Sequence, residues 1–278
     1  MRSHSDAFDL VADLKARNEP FALATVVRTV SVTAAKAGAK AVIGADGTIM
    51  EGWIGGGCAR AAVVKAAREA IADGEPRLIS IQPKDLLDEK GLHPGDLREG
   101  MRFARNMCPS RGTMDVFIEP MLPRPALAIF GASPVAVALA DLAPRFGYRV
   151  TVCAPPADQH LFAEADRRID GYALDVAAEG WRFVVVATQG RGDEAALRAA
   201  LSVHAEHVAF VGSRRKIEAL KEGLAAGGVA PECFGRLKAP AGLDIGAVTP
   251  DEIALSILAE MLAIRRRNHR TPNESTGP

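Results

Sequence analysis

The run Gly55-Gly56-Gly57-Cys58 puts one thiol where an apolar strand ending at Ile54 gives way to an alanine-rich helix beginning near Ala59. Three residues without side chains let another molecule reach backbone N–H groups. The partial positive charge of a first helical turn favours anions and lowers a thiol's pKa. The pattern suits an anion, a soft metal or sulfur chemistry; the competing reading is a tight strand-to-helix turn followed by an inert buried cysteine. Cys108, in the turn Asn106-Met107-Cys108-Pro109-Ser110-Arg111-Gly112, is a second loop thiol in the same half of the chain. Cys58 and Cys108 are therefore the candidate catalytic sulfurs and, as a pair, the candidate ligands of a soft metal. Cys153 ends a strand and Cys233 lies in a polar loop, so both read as structural.

A second set of candidates lies downstream. After an apolar strand comes Gly131-Ala132-Ser133-Pro134-Val135-Ala136, where a dinucleotide-binding fold carries G-x-G-x-x-G/A. Ser133 replaces the middle glycine, either to meet a phosphate or, by default for Ser before Pro, to cap the helix. The next strand runs into Cys153-Ala154-Pro155-Pro156 without the carboxylate that would hold a ribose; Asp158 comes several residues late, and Arg167 and Arg168 read as solvated surface charges. Thr188-Gln189-Gly190 and Gly212-Ser213-Arg214-Arg215-Lys216 follow two further strands, at the carboxyl ends where open α/β sheets bind ligands. The latter run pairs a Gly-Ser helix entrance with three cations. It reads as a cradle for a phosphate, with an ordinary exposed face as the alternative. The candidate cofactor-binding residues are thus Gly55, Gly56, Gly57, Gly131, Ala132, Ser133, Thr188, Gly212, Ser213 and Arg214.

The elements that must position these residues fall into two textures. Before residue 120 the pattern predicts a helix over Asp6 to Asn18 and strands at Leu23–Val30, Ala39–Ile43 and Thr48–Trp53, with an Asp46-Gly47 turn between the last two. A helix over Ala59–Ala72, strands at Leu78–Gln82, Met101–Arg105 and Thr113–Glu119, and a polar loop over 83–100 complete a mixed α/β domain at 1–120. Pro120, Pro123 and Pro125 mark a linker at 121–125. Short apolar strands at Ala126–Phe130, Arg149–Cys153, Phe183–Ala187 and His207–Val211 then alternate with helices near 134–146, 193–202 and 214–225. A last helix runs from Pro250 to Arg267. The alternation predicts a Rossmann-like, doubly wound parallel sheet over 126–267, followed by a disordered tail at 268–278.

Over 278 residues, Lys plus Arg and Asp plus Glu number 34 each, so no global field recruits nucleic acid or an anionic membrane. The four cysteines form no C-x-x-C pair, the first twenty residues hold no apolar signal core, and no apolar run reaches the roughly 20 residues of a membrane span. The expectation is a cytoplasmic protein with reduced thiols, and a homodimer by default. The six His show no H-x-x-x-H spacing, so zinc hydrolysis is not supported.

Several segments together resemble one family, the XdhC/CoxI/CoxF accessory proteins of molybdenum hydroxylases such as xanthine dehydrogenase and CO dehydrogenase. They are Gly38-Ala39-Lys40, Asp46-Gly47, Ile54 to Cys58, Gly131 to Val135, Gly212 to Lys216, and Gly242-Leu243-Asp244-Ile245-Gly246 running on to Pro250-Asp251-Glu252-Ile253-Ala254. The resemblance implies an N-terminal XdhC/CoxI domain joined to a Rossmann-like domain. It implies a maturation factor that binds the molybdenum cofactor, aids its sulfuration and delivers it to an apo-hydroxylase, with a sulfurtransferase as a further partner. Arg60 stands where many relatives carry Glu, so a carboxylate role there does not transfer. The Ser-Pro form of the second glycine turn resembles the CO dehydrogenase branch, in which copper held by Cys58 and Cys108 would be a second cargo. A nucleotide such as NAD(P), FAD or an ADP moiety is the other cofactor expectation, and a dinucleotide- or flavin-dependent oxidoreductase is the alternative function.

Overall fold

The computed structural model describes residues 7–107, 111–174 and 181–267, without the side chains of Cys58, Trp181, Arg182 and Arg267. The chain divides into two compact units between Pro123 and Arg124.

The first unit contains α1 (Ala7–Ala16), β1 (Phe21–Val30), β2 (Lys40–Gly44), β3 (Ile49–Gly52), α2 (Gly57–Asp73), β4 (Arg77–Pro83), α3 (Lys84–Glu89), β5 (Leu97–Arg98), β6 (Met101–Asn106) and β7 (Thr113–Met121). The strands form one sheet in the order β3-β2-β1-β7-β4-β6-β5, antiparallel except for the parallel pair β4–β6. Because the chain turns back after α2 into β4, the start of α2 lies at the end of the sheet where β4 and β6 finish and β7 begins. Alternate residues of the strands, among them Ala24, Val26, Ile43, Ile79, Ile81 and Val116, bury against Val63, Ala67 and Ala70 of α2. The small alanine side chains let the helix lie close to the sheet, and Gly74 in the left-handed conformation ends it, donating its N–H to the Ala70 carbonyl.

Two expectations change here. The stretch 83–100 is not a plain loop: it forms α3 and β5, because Leu87 and Leu92 bury against Phe103 on the sheet's second face. β7 continues through Pro120 to Met121, past the expected start of the linker. The strand tolerates Pro120 because β4 stops pairing at Ile118, leaving that side of β7 with no ladder for a missing N–H to break.

The second unit contains β8 (Ala126–Phe130), α4 (Pro134–Leu142), β9 (Arg149–Ala154), β10 (Arg167–Asp170), β11 (Trp181–Val186), α5 (Asp193–Ser202), β12 (Ala205–Phe210), α6 (Arg214–Ala226), β13 (Leu237–Lys238) and α7 (Pro250–Arg267). All strands are parallel, in the order β10-β9-β8-β11-β12-β13, so the winding reverses between β8 and β11. This is the doubly wound Rossmann order, with its ligand crevice expected at that reversal. One face buries Leu127, Ile129, Val150, Val152 and Val185 against α4 and α7; the other buries Ala128, Phe130, Val184, Val186 and Phe210 against α5 and α6. The helix expected over 134–146 stops at Leu142, where Ala143-Pro144 turns it into a short 3-10 segment closed by Gly147. Arg167 and Arg168 are exposed on the edge strand β10, where charges discourage pairing with another sheet. Among the described residues no helix is long and apolar enough to cross a membrane.

Candidate functional site

In the first unit the Gly55–Gly57 turn opens a cavity of about 280 Å³. Gly55 (φ +98°) and Gly57 (φ +49°) hold left-handed backbone conformations that side-chained residues rarely adopt, so the turn into α2 favours glycine at these two positions. No side chain caps the helix and no acid occupies its first turn. The wall opposite comes from Asn106, Met107 and Gly112, the ends of β6 and β7, and from Thr33–Ala35; Ile81 and Met114 close the floor. Asn106 Nδ2 donates to the Gly112 carbonyl at 2.7 Å and so fixes the loop between β6 and β7 at its base.

Among the described residues the lining carries no charged side chain. Cys58 is the second residue of α2, directly after the glycine turn, but its side chain and the whole of Cys108 lie outside the described residues. The described residues next to both thiols, Gly57, Ala59 and Met107, do line this one cavity. On the opposite face of the same strands is a polar chain that the sequence does not signal. Arg28 Nε and Ser80 Oγ each donate to Asp115 at 2.5 Å, and Gln82 Nε2 donates to Ser80 at 2.7 Å. Ser80, Gln82 and Asp115 are all buried, and they fasten β4 to β7 beneath the cavity floor.

In the second unit, Gly131 packs so tightly against the end of β11 that a Cβ there would stand 2.6 Å from the Ala187 carbonyl oxygen and 2.7 Å from Thr188 Cα. Its φ is +109°. The backbone N–H of Ser133 donates to Ala187 at 3.3 Å, and Ser133 Oγ accepts from Ala136 at 3.2 Å, so the serine caps α4. Ala132 lies partly buried against the core on the α4 side. Thr188 is buried and donates to Asp193, which also accepts from Gly190 N–H at 2.9 Å and pairs with Lys216 Nζ at 2.6 Å. Burial pulls the Asp193 carboxyl up, but Lys216, Thr188 and Gly190 together hold it below the ordinary carboxylate value. The sequence signal for Asp193 is an acid in the first turn of α5, five residues after Thr188.

The expected phosphate cradle at 212–216 is thereby partly consumed. Lys216 faces Asp193 and also stacks over Phe210, and Ser213 Oγ caps α6 by accepting from Lys216 N–H at 3.2 Å. Gly212, Ser213 and Arg214 instead line a groove shared with the 242–247 loop. Glu260 of α7, 6% exposed, holds that loop: it accepts from Gly242 N–H at 3.0 Å and pairs with Lys238. His207 Nε2 stands 3.4 Å from Glu260, and burial, with Lys238 adding to it, pushes the imidazole's pKa down. After β9, Gln159 Nε2 bridges the Ala154 and Ile169 carbonyls at 2.8 and 2.7 Å and closes the β9–β10 junction. The candidates therefore fall into two groups, one in each unit.

Cys153 is fully buried and its thiol is pushed up to about 12 by burial, with Arg167 opposing. At about pH 8 only on the order of one Cys153 in 10⁴ is thiolate. Peptide mapping after iodoacetamide treatment of the folded protein should find Cys153 unmodified and the partly exposed Cys233 labelled. Labelling of Cys153 at a rate like that of Cys233 would contradict the structural role.

Residues 127–261 match the sequence model of the XdhC Rossmann domain, and residues 14–82 match that of the XdhC and CoxI family. Uncharacterized protein YqeB of Escherichia coli (strain K12) is 32% identical over 270 residues, 93% of this chain and 46% of that protein. A probable xanthine dehydrogenase subunit of Bacillus subtilis (strain 168) is 33% identical over 163 residues, 56% of this chain and 47% of that protein. The chain spans about half the length of these curated relatives. A crystal structure of a xanthine dehydrogenase from Bacillus halodurans aligns with 99% of this chain and 98% of its own, at 20% identity and a TM-score of 0.46.

Proposed function

This chain belongs to the XdhC and CoxI family, and from that membership we propose that it is a maturation factor for a molybdenum hydroxylase, handling the molybdenum cofactor and the sulfur or copper that completes the client's active site. The observation that carries the reading is the cavity at the start of α2, lined by neutral groups among the described residues and walled by the glycine turn and by the residues flanking both Cys58 and Cys108. Its dimensions and lining suit the soft end of a cofactor: the backbone of Gly55–Gly57 gives close approach, and Thr33 and Asn106 supply polar contacts. In this reading retention of a soft atom falls to Cys58 and Cys108, because they are the soft thiolate ligands of the chain nearest in sequence to the cavity lining. The cofactor, when bound, supplies the metal chemistry; this chain binds it, shields it and presents a thiol.

The Bacillus subtilis relative points to a xanthine dehydrogenase client, and the Ser133-Pro134 turn to a CO dehydrogenase-type client; a sulfurtransferase would load the thiol. Co-expression of each apo-hydroxylase with wild-type and Cys58→Ser protein tests the reading. The variant should fold normally yet lower hydroxylase activity at least about tenfold, because the thiolate is the ligand and nucleophile. Normal client activity with a folded Cys58→Ser protein would remove the thiol from the function. Native mass spectrometry of anaerobically purified protein, before and after thiol blocking, identifies the cargo.

The second reading, a dinucleotide- or flavin-dependent oxidoreductase, draws support from the strand reversal between β8 and β11. Commitment of Ser133 to capping and the lack of a carboxylate after β9 weigh against it. Turnover of NAD(P)H with an added acceptor would favour this reading over maturation.

A further inference from the structure

Three exposed apolar side chains stand around the mouth of the glycine-turn cavity, each carried by a different connection of the first unit. Val32, 73% exposed, lies between β1 and β2; Trp53, 57% exposed, between β3 and α2; and Met107, 68% exposed, directly after β6. Each is tied to the lining. Met107 is itself a lining residue. The Val32 carbonyl oxygen lies 2.2 Å from where a Cβ on the lining residue Gly112 would stand, and the Trp53 ring 4.0 Å from the corresponding point at Gly56. Apolar side chains gathered in this way on a surface mark an interaction site, whereas single exposed ones do not. The charges of the same connections have one sign. Lys36 between β1 and β2, Arg60 in the first turn of α2 and Arg111 before β7 are all exposed, and segments 31–39, 53–60 and 107–112 hold no Asp or Glu. Arg111 reaches Asp85 at 3.5 Å; Lys36 and Arg60 form no ion pair among the described residues. The chain as a whole balances 34 cations with 34 acids, so the excess here is local.

We propose that this rim is the docking surface for an acidic, apolar-centred patch of a partner protein, with Trp53 as the anchor and Lys36 and Arg60 steering the approach. The partner's identity rests on the maturation reading, under which it is the apo-hydroxylase that receives the contents of the cavity. Docking over the mouth then keeps the transfer path short and shielded from water. A second copy of this chain does not fit. Across a two-fold axis the rim would set its cations against themselves, with no acid from these connections to meet them.

The test is biolayer interferometry of the full chain against each purified apo-hydroxylase at low and high salt. Trp53→Ser should weaken binding at least about tenfold. Lys36→Glu combined with Arg60→Glu should weaken it by a similar factor at low salt and flatten its salt dependence. Val248→Ser removes an apolar side chain that is 82% exposed on the second unit, and should bind as wild type does. All four positions are exposed, so thermal melts should stay unchanged. Absence of binding to any apo-hydroxylase, or rim variants that bind as tightly as wild type, overturns the proposal. Sedimentation with phosphatidylglycerol vesicles that Trp53→Ser abolishes would give the rim to an anionic membrane and overturn it too. A change from dimer to monomer in Trp53→Ser would give the rim to a second copy, with the same consequence. Docking and maturation are separable. Rim variants that bind like wild type while Cys58→Ser still fails its client lose only the docking surface; rim-dependent binding of a hydroxylase whose activity the chain does not raise on co-expression loses only the maturation role.

Discussion

Gly131→Ala should destabilise the second unit by about 3 kcal/mol, close to the limit a marginally stable domain tolerates. Two costs add. An alanine at φ +109° is strained wherever it occurs, and its Cβ would meet the Ala187 carbonyl and the Thr188 backbone at 2.6–2.7 Å, atoms that belong to a central strand end and cannot swing away. Any relief separates β8 from β11 at the reversal of the sheet, and with it the Ser133 N–H bond to Ala187. Gly190→Ala is the control. Its φ is +94° but nothing stands within 4 Å of the added carbon, so it should lose only the backbone term, about 1 kcal/mol. Urea denaturation followed by circular dichroism measures both. Equal losses at the two positions would show that the close approach at Gly131 costs nothing and that the two turns do not pack as described.

Glu260→Ala should cost a further large amount, about 3 kcal/mol, by a different route. The carboxylate lies almost wholly buried on α7, where it accepts the Gly242 N–H at 3.0 Å and neutralises Lys238, which also donates to the Gly242 carbonyl at 3.0 Å. Removing it leaves a buried N–H without an acceptor and a cation without its partner. Glu260→Gln separates these effects, since the amide oxygen keeps an acceptor for Gly242 while the charge is lost. Gln should recover roughly half of the loss if hydrogen bonding and charge contribute comparably. Full recovery by Gln would assign the whole effect to the hydrogen bond, and no loss in Glu260→Ala would mean that the 242–247 loop is held by other contacts. Hydrogen exchange at Gly242 and Leu243 reads the loop directly: protection should fall in Glu260→Ala while that of β8 and β11 is kept.

The fold is legible in the chain to the extent that local pattern decides it. Alternating apolar residues at Leu23–Val30 and the Asp46-Gly47 turn give the β1–β3 meander, and short apolar strands spaced by helices give the parallel sheet of the second unit. Strands such as β10, with its exposed arginines, carry no apolar pattern, because an edge strand is held by its neighbour's ladder rather than by burial. α3 is hidden for a related reason: Leu87 buries against Phe103, sixteen residues on, and only the folded sheet creates that contact. The dual possibility at Ser133 resolves to a helix cap, the role the Ser-Pro pair favours.

Local chemistry alone marks where special backbone is needed, since a glycine run, a cysteine after it and a Gly-Ser helix entrance impose the same demands on any fold. The order of residues also places both domain types along the chain, the assignment that the family matches bear out. Which charges stay available is a tertiary matter. Lys216 has the sequence setting of an anion cradle, yet Asp193, more than twenty residues earlier in the chain, neutralises it. Charge pairing depends on distances of a few ångströms between residues far apart in sequence, and only the packed sheet and helices fix those distances.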